Sequence, residues 1–134
     1  MTFDSAIELP FFEERHRELA ATFRGWVASR LTQFETSEGG DGQAAKEIFK
    51  ILAKDGWLQA TVTPQPKESK KPIDLRGICL IREMLGYSSA MADVAFSEPW
   101  LAALPLALYG SKEQKRSYLE SFCAGACLPA FALS

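Results

Sequence analysis

Residues 109–122 read YGSKEQKRSYLESF, and this stretch contains the clearest local folding signal of the chain. Ser111 and Gln114 lie three positions apart, so each side chain can accept a hydrogen bond from the other residue's backbone N–H group in a capping box. The pattern predicts a helix that begins after Ser111 and ends at Gly125. Its buried face is expected to consist of Tyr118, Leu119 and Phe122.

The first half of the chain predicts two further helices. Apolar residues recur every three or four positions over 12–34, as they do on one face of a helix. That face consists of Leu19, Phe23, Trp26, Val27, Leu31 and Phe34. A glycine-rich loop over 38–42 separates this helix from a shorter one with Ala45, Ile48, Phe49 and Leu52 inward. Gly56 is predicted to cap the shorter helix, because glycine has no Cβ to clash in a left-handed cap.

The middle of the chain predicts a surface connection and then a central helix. Residues 59–72 are rich in proline and lysine, which favours an extended segment on the surface. Asp74 is a suitable N-cap for a helix over 75–86. The run 78–81 is apolar nearly all round, which indicates that this helix lies centrally.

Two shorter helical segments are expected between residues 90 and 109. Ser88 or Ser89 can cap the first of them, over 90–98. Pro99 is predicted to interrupt it, since proline lacks the backbone N–H that a helix interior needs. Residues 100–109 then form a second apolar piece.

The last residues, 127–134, are small and apolar and follow a glycine, which predicts an extended strand. A lone strand leaves its backbone groups unpaired, so we expect the chain to continue beyond this point. The predicted fold is all-α, an orthogonally packed bundle of five or six helices with a short extended C-terminal segment. The predicted domains are a helical unit over 1–126 and the first strand of another over 127–134.

Composition excludes several classes of protein. The chain has 134 residues, 47% of them hydrophobic, which is enough for a sizeable core and excludes a disordered acidic tail. A net charge of -2 argues against a nucleic-acid partner. No apolar run approaches the ~18 residues of a membrane span, and no secretory signal is recognisable. We therefore expect a soluble, cytoplasmic protein.

Groups suited to catalysis or metal binding are sparse. Cys79 lies far from Cys123 and Cys127, and those two lack the spacing of a redox or zinc pair, so unpaired thiols in a reducing compartment are expected. The single histidine, His16, lies on the apolar face of the first helix and is predicted to be packed rather than to act as a base. Neither a metal site nor a catalytic residue is predicted.

The C-terminal third resembles the acyl-CoA dehydrogenase family. Residues 106–116 (LALYGSKEQKR) and 130–134 (AFALS) are similar to the run that closes the family's N-terminal helical domain and enters its flavin-binding β-domain. Residues 53–58 (AKDGWL) and 81–86 (IREMLG) also resemble family helix ends. The lysine-rich residues 64–71 depart from the family's Pro-Glu-x-x-Gly-Gly loop.

The resemblance implies the N-terminal domain of an FAD-dependent enzyme that desaturates an acyl-CoA thioester. It also implies a homo-oligomer and an electron-transfer flavoprotein as electron acceptor. In the family the catalytic glutamate and most flavin contacts lie in later domains, so this chain alone is expected to lack dehydrogenase activity and to bind FAD weakly or not at all. The alternative is a non-catalytic helical interaction module that resembles this domain.

The resemblance assigns a few site residues. Those matching positions beside the flavin are Phe131, Leu133 and Ser134. Those matching the helical segment that lines the acyl pocket are Asp93, Ser97 and Leu101. Alternatively, Leu101 is a core residue, and Ser97 supplies a surface or capping hydroxyl. The stretch 87–96 is most similar to members that act on cyclic or branched carboxyl-CoA thioesters.

Overall fold

The computed structural model describes residues 7–31, 41–62 and 73–132. These ranges are helical and contain no β-strand, which confirms the all-α prediction. The main helices are α1 (Glu14–Arg30), α2 (Asp41–Lys54), α3 (Gln59–Val62), α4 (Leu75–Ser88) and α5 (Ala90–Tyr109). The terminal helix consists of α6 (Lys112–Gln114), a π-helical turn (Lys115–Leu119) and α7 (Glu120–Cys123).

Helix α5 lies at the centre of the bundle. It packs against α2, α3, α4 and the π-helical turn, while α1 packs on the far side of α4. Phe96 of α5, Phe23 of α1 and Leu85 of α4 are fully buried in the common core. Burying a side chain of this size stabilises the fold by about 1.5–3 kcal/mol. The central position predicted for α4 agrees with its packing between α1 and α5, although Cys79 is exposed.

Local capping chemistry explains where several helices begin and end. Gly56 (φ +84) and Gly125 (φ +71) have left-handed backbones, as predicted for C-terminal caps. In both, the next residue's N–H bonds five residues back in a Schellman motif: Trp57 to Leu52, and Ala126 to Ser121, each at 2.9 Å. These bonds satisfy carbonyl groups that the helix end would leave unpaired.

The capping box at the terminal helix is confirmed. The Ser111 N–H donates to Gln114 Oε1 at 2.8 Å, and the Gln114 N–H donates to Ser111 Oγ at 3.2 Å. Leu119 and Phe122 are buried as predicted. The inward position predicted for Tyr118 is wrong, because its side chain is 59% exposed.

A buried histidine joins the starts of α1 and α4. His16 is fully buried, and its Nδ1 accepts the Glu13 N–H at 2.9 Å. Its Nε2 therefore carries the proton and donates to Asp74 Oδ1 at 3.1 Å. The same Asp74 oxygen accepts the Gly77 N–H at 3.1 Å, which caps α4, and Arg15 lies 3.2 Å from the other oxygen. The predicted packed histidine and the predicted Asp74 cap thus form one network.

The interruption predicted at Pro99 is wrong. Helix α5 runs without a break from Ala90 to Tyr109 and contains both Pro99 and Pro105. A proline inside a helix costs about 3 kcal/mol. Apolar side chains on both sides of Pro99, including Phe96 and Ala103, are buried against neighbouring helices. Ending the helix there would expose them, and their burial offsets the proline cost.

Other boundaries also differ from the prediction. Helix α1 spans 14–30 instead of 12–34, and α2 already includes Asp41 and Gly42, which were predicted as loop. Residues 59–62 form α3 rather than an extended segment, because Thr61 and Val62 are buried. Residues 127–132 are non-helical and form no ladder with other described residues, so their predicted role as the first strand of a further domain stays a prediction. Phe34, the remaining loop residues 38–40 and the connection 63–72 lie outside the described residues.

Candidate functional site

The three candidate acyl-side residues share one face of α5. Asp93, Ser97 and Leu101 are spaced at intervals of four, which places them one above another on a helix. At 1.5 Å per residue, the strip they form is about 12 Å long. Asp93 and Ser97 are partly buried, and Leu101 is 42% exposed. The strip therefore has a polar end at Asp93 and an apolar end at Leu101.

Asp93 is held in an ion pair with Arg82 of α4. Arg82 Nε donates to Asp93 Oδ1 at 2.9 Å, and Arg82 Nη2 donates to Oδ2 at 2.8 Å. This bidentate geometry is the strongest form of the Arg–carboxylate interaction. The hydrogen bonds with Asp93 raise the pKa of Arg82, so the guanidinium stays charged. Asp93 also lies in the first turn of α5, where the helix dipole favours a carboxylate.

A glycine leaves space next to this ion pair. Gly86 lies one helical turn after Arg82 on α4 and is exposed. A Cβ at Gly86 would lie 3.9 Å from the Asp93 Cβ, in ordinary contact. A larger side chain at this position would therefore start in contact with Asp93. The Arg82 side chain is 44% exposed and the Asp93 side chain 22% exposed, so both stay accessible from this side.

The exposed outer face of α5 is largely apolar, although the exposed Glu98 lies on it between Val94 and Leu101. Val94, Leu101 and Leu108 recur every seven residues and are 48%, 42% and 48% exposed. A helix that is hydrophobic nearly all round is normally covered on every side. Exposed apolar patches of this kind mark ligand-binding or partner-binding surfaces. The outer face of α5 is thus a second feature of the site, next to the polar end at Asp93.

The candidate flavin-contacting residues lie in a different segment. Phe131 follows the terminal helix in non-helical backbone and is 48% exposed. About half of its surface is open to solvent. Leu133 and Ser134, the other two residues of the set, lie outside the described residues.

The remaining titratable groups serve the fold. Burial would raise the pKa of Asp74, but the hydrogen bonds with His16 and Gly77 outweigh it and lower that pKa. A hydrogen bond with Arg15 lowers the pKa of Glu13, and burial raises the pKa of the Cys123 thiol. All three cysteines are free. The described ranges contain no group of three or more side chains able to hold a metal ion.

The structure also contains a groove between α1, α3 and α4. Its volume is about 200 Å³, and Asp74 and Arg15 stand at its edge over an apolar floor that includes Leu19, Ile78 and Ile81. Arg15 and Asp74 already form an ion pair with each other, and Asp74 also bonds to His16. The groove is therefore a product of helix packing, and none of the candidate residues lies in it.

Comparison with protein families agrees with these features. The family model described as "Acyl-CoA dehydrogenase, N-terminal domain" matches residues 13–126. The chain belongs to this family. No curated protein gives a match. Among the described residues of this acyl-CoA dehydrogenase domain, no helix combines the length and the apolar character that crossing a membrane requires.

Sequence reasoning missed Arg82 and Gly86, which surround Asp93. Arg82 and Asp93 are eleven residues apart on different helices, so no single-helix spacing relates them. One signal was available. The connection between the two helices at Ser88 and Ser89 is very short, and two helices joined by so short a turn lie antiparallel, side by side. The opposite charges on either side of that turn were the candidates for contact.

Proposed function

We propose that this chain acts as the N-terminal helical domain of an FAD-dependent acyl-CoA dehydrogenase, which desaturates an acyl-CoA thioester between its α and β carbons. In this proposal the strip Asp93–Ser97–Leu101 lies along the acyl group, and Phe131 with Leu133 and Ser134 lies beside the flavin. The observation that carries the proposal is the exposed apolar face of α5 in a domain of this family.

The physical argument rests on what α5 exposes. Leu101 and Leu108 present apolar surface where an isolated bundle would present polar side chains. Each fully buried CH₂ of an acyl chain gains about 0.8 kcal/mol. An acyl chain laid along α5 would therefore cover the helix and stabilise both surfaces. Family membership implies that further copies of the chain and an electron-transfer flavoprotein are the protein partners. We also propose a cytoplasmic location, because no secretory signal is recognisable in the sequence.

The domain supplies positioning, while the reacting groups come from elsewhere. When bound, FAD supplies the hydride acceptor of the reaction. A carboxylate that removes the α-proton must stand within hydrogen-bond reach of it. Asp93 is bound by Arg82, and Asp74 is bound by His16 and the Gly77 N–H, so neither is free to act as that base. The chain alone is expected to show no dehydrogenase activity.

The first experiment tests acyl-CoA binding to α5. A ¹⁵N-labelled chain is titrated with hexanoyl-CoA and, separately, with CoA alone, and amide shifts are followed by NMR. We expect the amides near Ser97 and Leu101 to shift with hexanoyl-CoA and to stay fixed with CoA. Leu101→Glu should abolish the shifts, and the control Leu75→Glu, at an exposed leucine of α4, should retain them.

The second experiment tests the division of labour. FAD is added to the purified chain, and the visible spectrum and acyl-CoA-dependent dye reduction are recorded. We expect weak flavin binding and no dye reduction. A yellow protein that bleaches with acyl-CoA would contradict the absence of a base. If no acyl-CoA shifts any amide of α5, the proposed function fails and the interaction-module alternative is favoured.

A further inference from the structure

The Arg82–Asp93 ion pair gives the proposed acyl surface a feature that a hydrocarbon chain does not need. Apolar side chains would serve a linear acyl group best at every position of the strip. Instead, two charged groups lie at one end, and Ser97 adds a hydroxyl about 6 Å further along the helix. Burying such groups under a hydrocarbon would remove their water without replacing its hydrogen bonds, which is unfavourable.

The ion pair has unused hydrogen-bonding capacity. A guanidinium group carries five N–H donors, and Asp93 occupies those on Nε and Nη2, which leaves others. Each Asp93 oxygen can accept a further bond as well. The pair as a whole is neutral, and Glu98 also acts electrostatically on Arg82, so the site favours an uncharged polar group over a second anion.

The geometry around the pair supports access by a ligand. Gly86 leaves the space next to Asp93 open, whereas a larger residue at this helical position would fill it. The backbone at Gly86 is not left-handed, so its conformation does not require glycine. Glycine also lowers helix stability relative to alanine. The open space beside the pair therefore comes from a glycine that neither the backbone conformation nor helix stability requires.

We propose that the Arg82–Asp93 pair selects the substrate class: acyl-CoA thioesters whose acyl group bears an uncharged hydrogen-bonding substituent, such as a hydroxyl, over plain hydrocarbon acyl groups. The inference rests on the proposed function, because that function places the acyl group along α5. Arg82 fixes Asp93 and offers its remaining N–H donors to the substituent, and Gly86 keeps the pair accessible.

The test compares matched ligands on the full chain. Dissociation constants for hexanoyl-CoA and ω-hydroxyhexanoyl-CoA are obtained from NMR titration of the α5 amides, with adipoyl-CoA as the charged analogue. We expect ω-hydroxyhexanoyl-CoA to bind about tenfold more tightly than hexanoyl-CoA, which corresponds to one hydrogen bond to a charged group. Adipoyl-CoA should bind no more tightly than the hydroxylated ligand.

Variants separate this effect from general loss of structure. Arg82→Gln and Gly86→Leu should each bring the two affinities within about twofold of each other. Arg116→Gln, which removes a positive charge from an exposed site on the terminal helix, should retain the tenfold ratio. Arg82→Lys keeps the charge that supports folding but loses the fork geometry, so it should also lose the ratio. The ratio between ligands is the readout, because a merely structural role would change both affinities together.

Each outcome is decisive. Equal affinity of the wild-type chain for hexanoyl-CoA and ω-hydroxyhexanoyl-CoA overturns this inference and leaves the proposed function intact. A ratio that survives Arg82→Gln or Gly86→Leu also overturns it, as does preferential binding of adipoyl-CoA. Failure of all three ligands to shift the α5 amides overturns the proposed function together with the inference.

Discussion

Replacing Asp74 by alanine tests the network that joins the starts of α1 and α4. The change removes the N-cap of α4, which costs about 1 kcal/mol. It also leaves the Nε2–H of the fully buried His16 without an acceptor, at about 1–3 kcal/mol. The ion pair with the exposed Arg15 adds less than about 1 kcal/mol. We expect Asp74→Ala to lower the free energy of unfolding by about 2–4 kcal/mol.

Asp74→Asn is the matched control. Asparagine caps a helix as well as aspartate does, and its oxygen can still accept from His16 and from the Gly77 N–H. Only the charge interaction with Arg15 is lost, so the cost should stay below about 1 kcal/mol. The assay is urea unfolding followed by circular dichroism, in which the alanine variant should unfold about 1–2 M earlier. Equal losses in both variants would refute the reasoning, because charge and not hydrogen bonding would then stabilise the joint.

Three further predictions concern stability and assembly. Gly125→Ala should lower the urea midpoint more than Gly56→Ala. Both substitutions place alanine in a left-handed backbone, which costs about 1–2 kcal/mol. Only at Gly125 would the new Cβ also lie 2.8 Å from a side-chain carbon of α2. The pKa of Asp74 is lower in the folded protein than in the unfolded chain. The Asp74 carboxylate therefore stabilises the fold above about pH 4, and this stabilisation is lost as the pH falls below that value. Asp74→Asn should therefore flatten the loss of stability below pH 4 in acid titrations, and an unchanged acid limb would count against the network. If the chain forms homo-oligomers through the outer face of α5, replacing the exposed Leu101 and Leu108 by serine should give monomers in sedimentation with an unchanged helical circular dichroism spectrum. Association that persists would place the interface elsewhere.

Features that depend on neighbouring residues were predictable from the sequence. The Ser111–Gln114 capping box, the Asp74 cap and the two left-handed glycines involve partners at most five residues away. Such interactions form within the helix end itself, so the residue types and their spacing identify them. The shared face of Asp93, Ser97 and Leu101 follows from the helical repeat in the same way. The all-α class needed only the periodicity of the apolar residues.

Other features depend on which helices become neighbours. Pro99 continues α5 because the packed residues on either side of it outweigh a local preference for interruption. Arg82 finds Asp93, and His16 finds Asp74, over 11 and 58 residues of sequence. Tyr118 has the spacing of a buried residue but is exposed, since the terminal helix passes through a π-helical turn that rotates the positions around it. The all-α class and the helix caps followed from the residues alone, because those energies are local. The continuity of α5 and the polar end of the candidate site were decided by packing between helices, above all by the contact between α4 and α5.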